Sequence, residues 1–304
     1  MRHLKIGTRG SPLALIQARE AKVRLMAAHG FADADIEIVV IATTGDRVRD
    51  RPLSEIGGKG LFTKEIEEAL FARDIDLAVH SMKDMPARIP DGLIIAAMLP
   101  REDARDAFLS PVAASIDGLA QGATVGSSSV RREAQLKRAR PDLKIISFRG
   151  NVETRLRKLD EGVAQATLLA CAGLNRLGLA DKITSAIAID VMLPAVAQGA
   201  IGIEIRDGDD AVRHLLAALD HAETSVAVSC ERAFLAALNG SCRTPLAGYA
   251  TLDKGRIMFR GQALTHDGAH SFEIERSGAL ADAERLGQDA GEEVKARGGS
   301  LIAY

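Results

Sequence analysis

The chain has 304 residues, with 39 Lys and Arg against 41 Asp and Glu for a net charge of −2, and is 47% hydrophobic, 26% charged and 3% aromatic. That composition belongs to a globular protein of two or three domains, each large enough to bury its own core. The balanced charge, the lack of Trp and the mere two Tyr argue against a general nucleic-acid-binding surface, and no apolar run approaches the ~20 residues of a membrane span. At the N-terminus, charge interrupts the apolar residues before they reach signal-peptide length, which predicts a cytoplasmic protein with neither membrane nor nucleic-acid partner. Three cysteines, Cys171, Cys230 and Cys242, are odd in number and lack C-x-x-C spacing, against both a disulfide framework and a zinc site; no metal is expected.

In chain order, short Val- and Ile-rich runs alternate with helical patterns, the signature of βα units on a largely parallel sheet. A strand is predicted at 4–8, followed by Ser11 and Pro12 as N-cap and first-turn proline of an amphipathic helix over 12–28 that Gly30 stops. Strands follow at 36–42, 75–80 and 93–98, with a helix at 61–73. Further strands are expected near 123–126, 144–148, 166–171 and 201–205, with helices near 129–139 and 151–161. Two α/β domains thus account for residues 1 to about 215. The last third reads as helices at 208–219 and 222–238, strands at 246–252, 256–265 and 270–276, and a helix at 281–297. Short polar connections at 253–255 and 266–268 suggest hairpins, hence an α+β domain with a small antiparallel sheet. The polar stretch 43–58, ending in Gly57-Gly58-Lys59-Gly60, has the character of a binding loop or lid.

Charge is concentrated locally. Between Ser128 and Lys158 stand ten basic residues against three acids, +7 in a chain of net −2. Lys137, Arg138, Arg140, Arg157 and Lys158 read as solvated helix faces. Arg131, Arg132, Arg149 and Arg155 instead cluster where strand ends meet helix N-termini, the ligand edge of an open α/β sheet, beside Ser127-Ser128-Ser129. Thr8-Arg9-Gly10-Ser11 and Arg149-Gly150-Asn151 repeat that junction. Three guanidinium-bearing junctions point to a ligand with several carboxylates or phosphates. Gly57–Thr63 lacks phosphate-loop spacing, so nucleotide is disfavoured. His80-Ser81-Met82-Lys83-Asp84-Met85-Pro86 sets a cation beside an anion at a strand end. It reads locally as a salt-bridged loop, with a Schiff-base lysine at Lys83 as an unsupported alternative. Asp84, a carboxylate amid arginines, is suited to holding an N–H donor or a developing positive charge. Cys171 and Cys230 read as packing residues. Cys242, in Gly-Ser-Cys-Arg-Thr-Pro beside Arg243, is open between a loop residue and a nucleophile or attachment point.

Eight segments in order resemble the porphobilinogen deaminase family almost end to end: TRGSPLAL (8–15), GGKGLFTKEIE (57–67), HSMKDMP (80–86), GSSSVRR (126–132), RGNVETR (149–155), AGLNRL (172–177), AVAQGA (195–200) and GSCRTPLA (240–247). The resemblance implies two periplasmic-binding-protein-like (type II) α/β domains, 1–99 with 200–217 and 100–199, plus a C-terminal α+β domain at 218–304. It also implies a dipyrromethane cofactor joined by a thioether to Cys242. Four porphobilinogen units would be added to it head to tail, each losing ammonia, before hydrolysis releases a linear tetrapyrrole. Every pyrrole brings an acetate and a propionate, which accounts for the arginines.

By matching position, Asp84 would hold pyrrole N–H groups and stabilise the cation formed as ammonia departs. Lys83, Asp84, Ser129, Arg131, Arg132, Ser147, Arg149 and Gly150 would bind the cofactor. Arg9, Ser11, Phe62, Arg149, Arg155, Arg176 and Gln198 would receive substrate or the growing chain. Lys59 and the 43–58 loop would cover the cleft, and the protein would be a monomer. Asn239-Gly240-Ser241 before the cysteine departs from the paired glycines of many relatives. A non-catalytic dicarboxylate-binding protein of the same two-domain fold is the competing reading, and a nucleic-acid binder built on the +7 stretch is a third; only a deaminase would carry an acid-stable adduct.

Overall fold

The computed structural model describes residues 3–47, 60–241 and 243–302. Lys59, residues 48–58 of the expected cover, and Cys242 lie outside them. The chain forms two compact units, Met1–Glu102 with Gly199–Ser225, and Asp103–Gln198 with Val226–Tyr304.

In the first unit, β1 (Leu4–Thr8), β2 (Ile36–Val40), β3 (Leu77–Ser81), β4 (Leu93–Met98) and β10 (Ile201–Arg206) form one sheet in the order β2-β1-β3-β10-β4. β1 runs parallel to β2 and β3, whereas β10 returns antiparallel between β3 and β4. Helices α1 (Pro12–His29), α2 (Thr44–Arg47), α3 (Lys64–Phe71) and α7 (Asp210–Leu216) accompany it. Period-2 alternation along β3 divides the core, as a strand buried on both faces requires. Leu77 and Val79 join Leu4, Ile6, Ile203 and the α1 residues Ala18, Ala21 and Leu25, while Ala78 packs with Ile66 and Leu70 of α3.

The second unit repeats this plan. β5 (Asp106–Leu109), β6 (Thr124–Gly126), β7 (Lys144–Ile146), β8 (Ala166–Ala170) and β9 (Ser185–Ala186) lie in the order β7-β6-β8-β5-β9. β6 is parallel to β7 and β8, and β5 is antiparallel to β8 and β9. Helices α4 (Val130–Ala139), α5 (Val152–Asp160) and α6 (Cys171–Arg176) complete the α/β part. Phe108 and Leu168 face one core cluster, Ala107, Leu109 and Leu169 the other.

From Val226 onward the same unit carries most of α8 (Ala222–Ala237), then a meander of β11 (Leu246–Asp253), β12 (Arg256–Leu264) and β13 (Ser271–Ala279), and α9 (Ala283–Gly298). The expected hairpins are present: Asp253 pairs with Arg256 across a two-residue turn, and Leu264 with Ser271 across a longer one. Phe234 of α8 packs against Phe259 of β12 with the rings tilted by 57° and 5.1 Å between their centroids.

The fold class is thus the expected one, α/β sheets followed by a small antiparallel sheet. Three details differ. Each α/β sheet is mixed rather than largely parallel, because β10 and β5 re-enter it from the opposite direction. The helix expected over 61–73 is Lys64–Phe71, since Gly60–Thr63 is taken up by a turn closed by Thr63 N–H to Gly60 C=O at 3.0 Å. Strands β5 and β9 and helices α2 and α6, α2 falling in the stretch expected as a loop, had no counterpart in the sequence reading.

Candidate active site

The three junctions picked out by sequence all become helix starts. Ser11 caps α1, its Oγ accepting from Ala14 N–H at 3.3 Å; Ser129 caps α4, accepting from Arg132 N–H at 3.4 Å; Asn151 caps α5, accepting from Thr154 N–H at 3.0 Å. Each cap satisfies one otherwise orphaned N–H of the first turn, at the positive end of the helix dipole.

In the first unit a cleft at the end of β3 brings together Arg9, Ser11, Phe62 and Asp84, four of the residues chosen from sequence, with His80 and Ser81. The Arg9 guanidinium lies over the Phe62 ring, 4.1 Å from its centroid, a cation–π contact that holds the charge at the cleft wall. Asp84 ends a single 3₁₀ turn, Met82–Asp84, that leaves the sheet directly from β3. That turn is fixed from several sides. Met82 N–H donates to Ala200 C=O at 3.0 Å, and the Met82 sulfur sits where any side chain on Gly202 would be, 2.1 Å from the position of a Cβ. The Ser81 hydroxyl and the Gln17 amide of α1 lie 2.9–3.0 Å apart. Below, His80 Nε2 meets Glu204 Oε2 of β10 at 3.0 Å, with both side chains almost wholly enclosed. Glu67 of α3 is coupled to this pair; burial pushes its carboxyl pKa up, more than the Thr63 hydroxyl beside it pulls it down. Lys83 is half-buried on the same turn.

The second unit holds the other cations. Arg131 and Arg132, at the start of α4, are 4% and 5% exposed and converge on Asp106 of β5, which is fully enclosed. Arg131 donates through Nη1 at 2.7 Å and Nη2 at 3.1 Å; Arg132 donates through Nε at 3.0 Å and Nη2 at 2.7 Å. Gln198 adds an Nε2 bond to Asp106 at 3.0 Å and another to Ala104 C=O at 2.8 Å. Burial alone would push the Asp106 pKa up, but the two guanidinium groups and these hydrogen bonds outweigh it and hold the carboxyl well below the usual range. Gln198, read from sequence as a substrate contact, is 1% exposed and belongs to this enclosed cluster.

Beyond the cluster, Ser147 is exposed and Arg149 half-buried, with its Nη1 enclosed and without a hydrogen-bond partner among the described residues. Gly150 takes φ = 126°, a conformation side-chain-bearing residues avoid, and its carbonyl accepts from Arg155 Nε at 2.9 Å. Arg176 ends α6, half-buried. Several cations read as helix surface have local partners: Lys137 with Glu133, Arg140 with Asp142 and Arg157 with Glu161. Cys171 and Cys230 are buried, and burial pushes their thiols up to about 11 and about 12, so neither is a ready nucleophile.

Sequence reasoning missed Asp106 and the partners of the Asp84 turn, Gln17 and Glu204. Asp106 sits in the run REDARD over 101–106, where a buried acid is indistinguishable from a solvated one. Among the described residues, no group of three or more His, Cys, Asp and Glu is placed to hold a metal, and no helix is long and apolar enough to cross a membrane.

Residues 4–214 match the family model described as porphobilinogen deaminase, dipyromethane cofactor binding domain, and residues 225–296 match that of the porphobilinogen deaminase C-terminal domain. A porphobilinogen deaminase of Paracoccus denitrificans is 58% identical over 294 residues, covering 97% of this chain and 94% of the relative. One from Nitrobacter winogradskyi is 56% identical, with 97% and 93% covered. Among solved structures, an ABC-transporter periplasmic substrate-binding protein from Coxiella burnetii is similar at 14% identity and a TM-score of 0.44, over 71% of this chain and 91% of the other. With both family models matched in order and near-complete coverage by close relatives, the chain belongs to the porphobilinogen deaminase family.

Proposed function

We propose that this chain is a transferase that condenses four porphobilinogen molecules head to tail on a dipyrromethane cofactor, with loss of ammonia, and releases the linear tetrapyrrole hydroxymethylbilane by hydrolysis. The observation that carries this reading is the family match over residues 4–214 and 225–296 joined to the cleft in which Asp84 stands with Arg9, Ser11 and Phe62.

The residues present fit an anionic prosthetic group. Arg149 Nη1 and Arg131 Nε are enclosed donors with no partner among the described residues, and an enclosed unpaired donor is costly unless an acceptor arrives. Lys83, Ser129, Arg131, Arg132, Ser147, Arg149 and Gly150 would hold the carboxylates, with Cys242 as the attachment point. Cys242 is favoured because burial and raised pKa disqualify Cys171 and Cys230. When bound, the dipyrromethane supplies the pyrrole carbon at which the new bond forms.

The chain's own part is binding, orientation and charge. Arg9, Ser11, Phe62, Arg149, Arg155 and Arg176 would receive the acetate and propionate groups of substrate and product, the guanidinium fork matching a carboxylate in bidentate fashion. Gln198 would act on substrate only indirectly, by holding the Asp106 carboxylate that in turn orients Arg131 and Arg132. The Asp84 carboxylate would accept the pyrrole N–H and offset the positive charge that develops on substrate as ammonia departs, an interaction stronger in the transition state than in the ground state. We further assign the protein to the cytoplasm, as a monomer; its buried, unpaired Cys171 and Cys230 suit a reducing compartment.

Incubating the purified protein with porphobilinogen tests this. Ammonia and a linear tetrapyrrole should form at a ratio of four to one, and intact mass should show an acid-stable two-pyrrole adduct. Saturable binding of dicarboxylates with neither product nor adduct would replace catalysis by simple solute binding.

A further inference from the structure

Two guanidinium groups sit on one carboxylate in the interior of the second unit. Asp106 is fully enclosed and neutralises only one of Arg131 and Arg132. The remaining partners of the pair are neutral: Leu193 C=O accepts from Arg131 Nη1 at 2.8 Å, and Leu168 C=O accepts from Arg132 Nη1 at 2.8 Å. Among the described residues the cluster therefore carries one enclosed positive charge with no carboxylate to balance it, a costly arrangement for a structural ion pair. The Arg131 Nε–H is enclosed as well, and lacks a partner among the described residues. Burial correspondingly weakens the hold of Arg131 on its proton, although Asp106 opposes this.

The bonding pattern decides which donors stay available. Asp106 takes the Nη1/Nη2 edge of Arg131 and the Nε/Nη2 edge of Arg132. Gln198 Nε2 occupies the remaining approach to Oδ1. A single carboxylate thus fixes the planes of both guanidinium groups, and the Nε–H of Arg131 is left unspent. Arginine forks are recognition devices only when their planes are held, because rotamer freedom otherwise has to be lost on binding.

We propose that Asp106 is a positioning residue: it sets Arg131 and Arg132 as a receptor short of one negative charge, which a single carboxylate of the prosthetic group completes. The assignment rests on the cofactor-holding reading of Arg131 and Arg132 and deepens it. Asp106 itself touches neither cofactor nor substrate. With the charge of Asp106 removed, the two guanidinium groups repel each other and lose their common orientation.

The test follows assembly rather than turnover. Apo-protein, expressed without a porphobilinogen supply, is incubated with porphobilinogen, and the fraction carrying the two-pyrrole adduct is read by intact mass over time. Calorimetry gives Tm for the apo and loaded forms. Wild type, Asp106→Asn, Asp106→Glu, Arg131→Leu, Arg132→Leu and the surface control Lys137→Gln are compared. Asp106→Asn is expected to assemble at least ~10-fold more slowly, with half-saturation moved to higher porphobilinogen. Asp106→Glu, which keeps the charge, should recover part of the rate, and Lys137→Gln all of it. A merely structural Asp106 would lower the apo Tm without altering assembly of the folded fraction. If Asp106→Asn assembles like wild type while the arginine variants fail, the positioning role is overturned and the cofactor-holding role of the arginines stands. Normal assembly in the arginine variants overturns that underlying reading. Should Asp106→Asn not fold, Asp106→Glu decides: slowed assembly at unchanged Tm supports the proposal, and wild-type assembly overturns it.

Discussion

His80 Nε2 and Glu204 Oε2 lie 3.0 Å apart beneath the cleft, His80 on β3 only four residues before Asp84 and Glu204 on the antiparallel neighbour β10. The side chain of Glu204 is wholly enclosed and its Oε1 finds no partner among the described residues. Among the described residues the imidazole is therefore the hydrogen-bonded counterpart of this side chain, and it ties the strand that delivers Asp84 to the strand that returns from the second unit. Breaking such a hydrogen bond from one side leaves an enclosed polar group unsatisfied, at a cost of ~1–3 kcal/mol. His80→Ala should lose stability on that scale in urea unfolding. Glu204→Gln, which retains a hydrogen-bonding side chain of the same shape, should lose less. Equal stability of His80→Ala and wild type would remove the pair from the account of how the Asp84 turn is held.

Glu67 gives a pH signature of the opposite sign to an ordinary stabilising carboxylate. Its pKa is raised in the folded protein, chiefly by burial. The folded state thus binds the proton more tightly than the unfolded chain. Its contribution to stability is fully present below the unfolded carboxylate pKa and is lost as pH rises through the higher folded value. Glu67→Gln mimics the protonated form, so it should gain in Tm relative to wild type as pH is raised across that window and show no such gain at lower pH. A Tm difference that does not change with pH would show the carboxyl to be untroubled by its surroundings. Asp106 carries the usual sign: its depressed pKa stabilises the fold above the unfolded value and the stability is lost as pH falls through the folded one.

The cysteines separate cleanly. With thiols pushed up to about 11 and about 12 by burial, Cys171 and Cys230 should resist iodoacetamide in the native protein at pH 8 and react only on unfolding. Cys171→Ser and Cys230→Ser should keep the two-pyrrole adduct, and Cys242→Ser should lose it. Peptide mapping locates the adduct, and finding it on either buried cysteine would overturn the attachment assigned to Cys242.

What the sequence disclosed follows from which forces act locally. Helix caps are written within four residues, and so Ser11, Ser129 and Asn151 stand where their spacing put them. Hairpins are equally local, and both turns of the C-terminal sheet lie where short polar connections indicated. Strand direction is not local. Nothing in 201–206 or 106–109 says that β10 and β5 enter their sheets antiparallel, because that depends on where the chain crosses between units. Asp106 was hidden for a related reason: its burial is made tolerable by Arg131, Arg132 and Gln198, which are 25 to 92 residues distant. The arginines were found because their surplus was visible in composition, whereas the acid organising two of them had no surplus to show.

The last expectation concerns Asp84, at the end of the Met82–Asp84 turn and on the wall of the cleft shared with Arg9 and Ser11. The turn is held by Met82 N–H on Ala200 and by the Gln17–Ser81 contact, neither of which involves the Asp84 side chain. Replacing Asp84 by Asn should consequently leave the fold and the cofactor in place. Asn still accepts a hydrogen bond but brings no charge to oppose the positive charge that grows as the bond to ammonia breaks. Losing one preorganised electrostatic group of this kind costs ~10²–10³-fold in rate. Asp84→Asn should therefore bind porphobilinogen with near-normal affinity and turn over ~10²-fold or more slowly, a loss in kcat rather than in KM. Asp84→Glu keeps the charge but displaces it, and intermediate activity is expected. Single-turnover experiments on loaded protein separate binding from chemistry. Formation of the first enzyme–substrate adduct at the wild-type rate in Asp84→Asn would assign the carboxylate to the local structure of the Lys83–Asp84 turn.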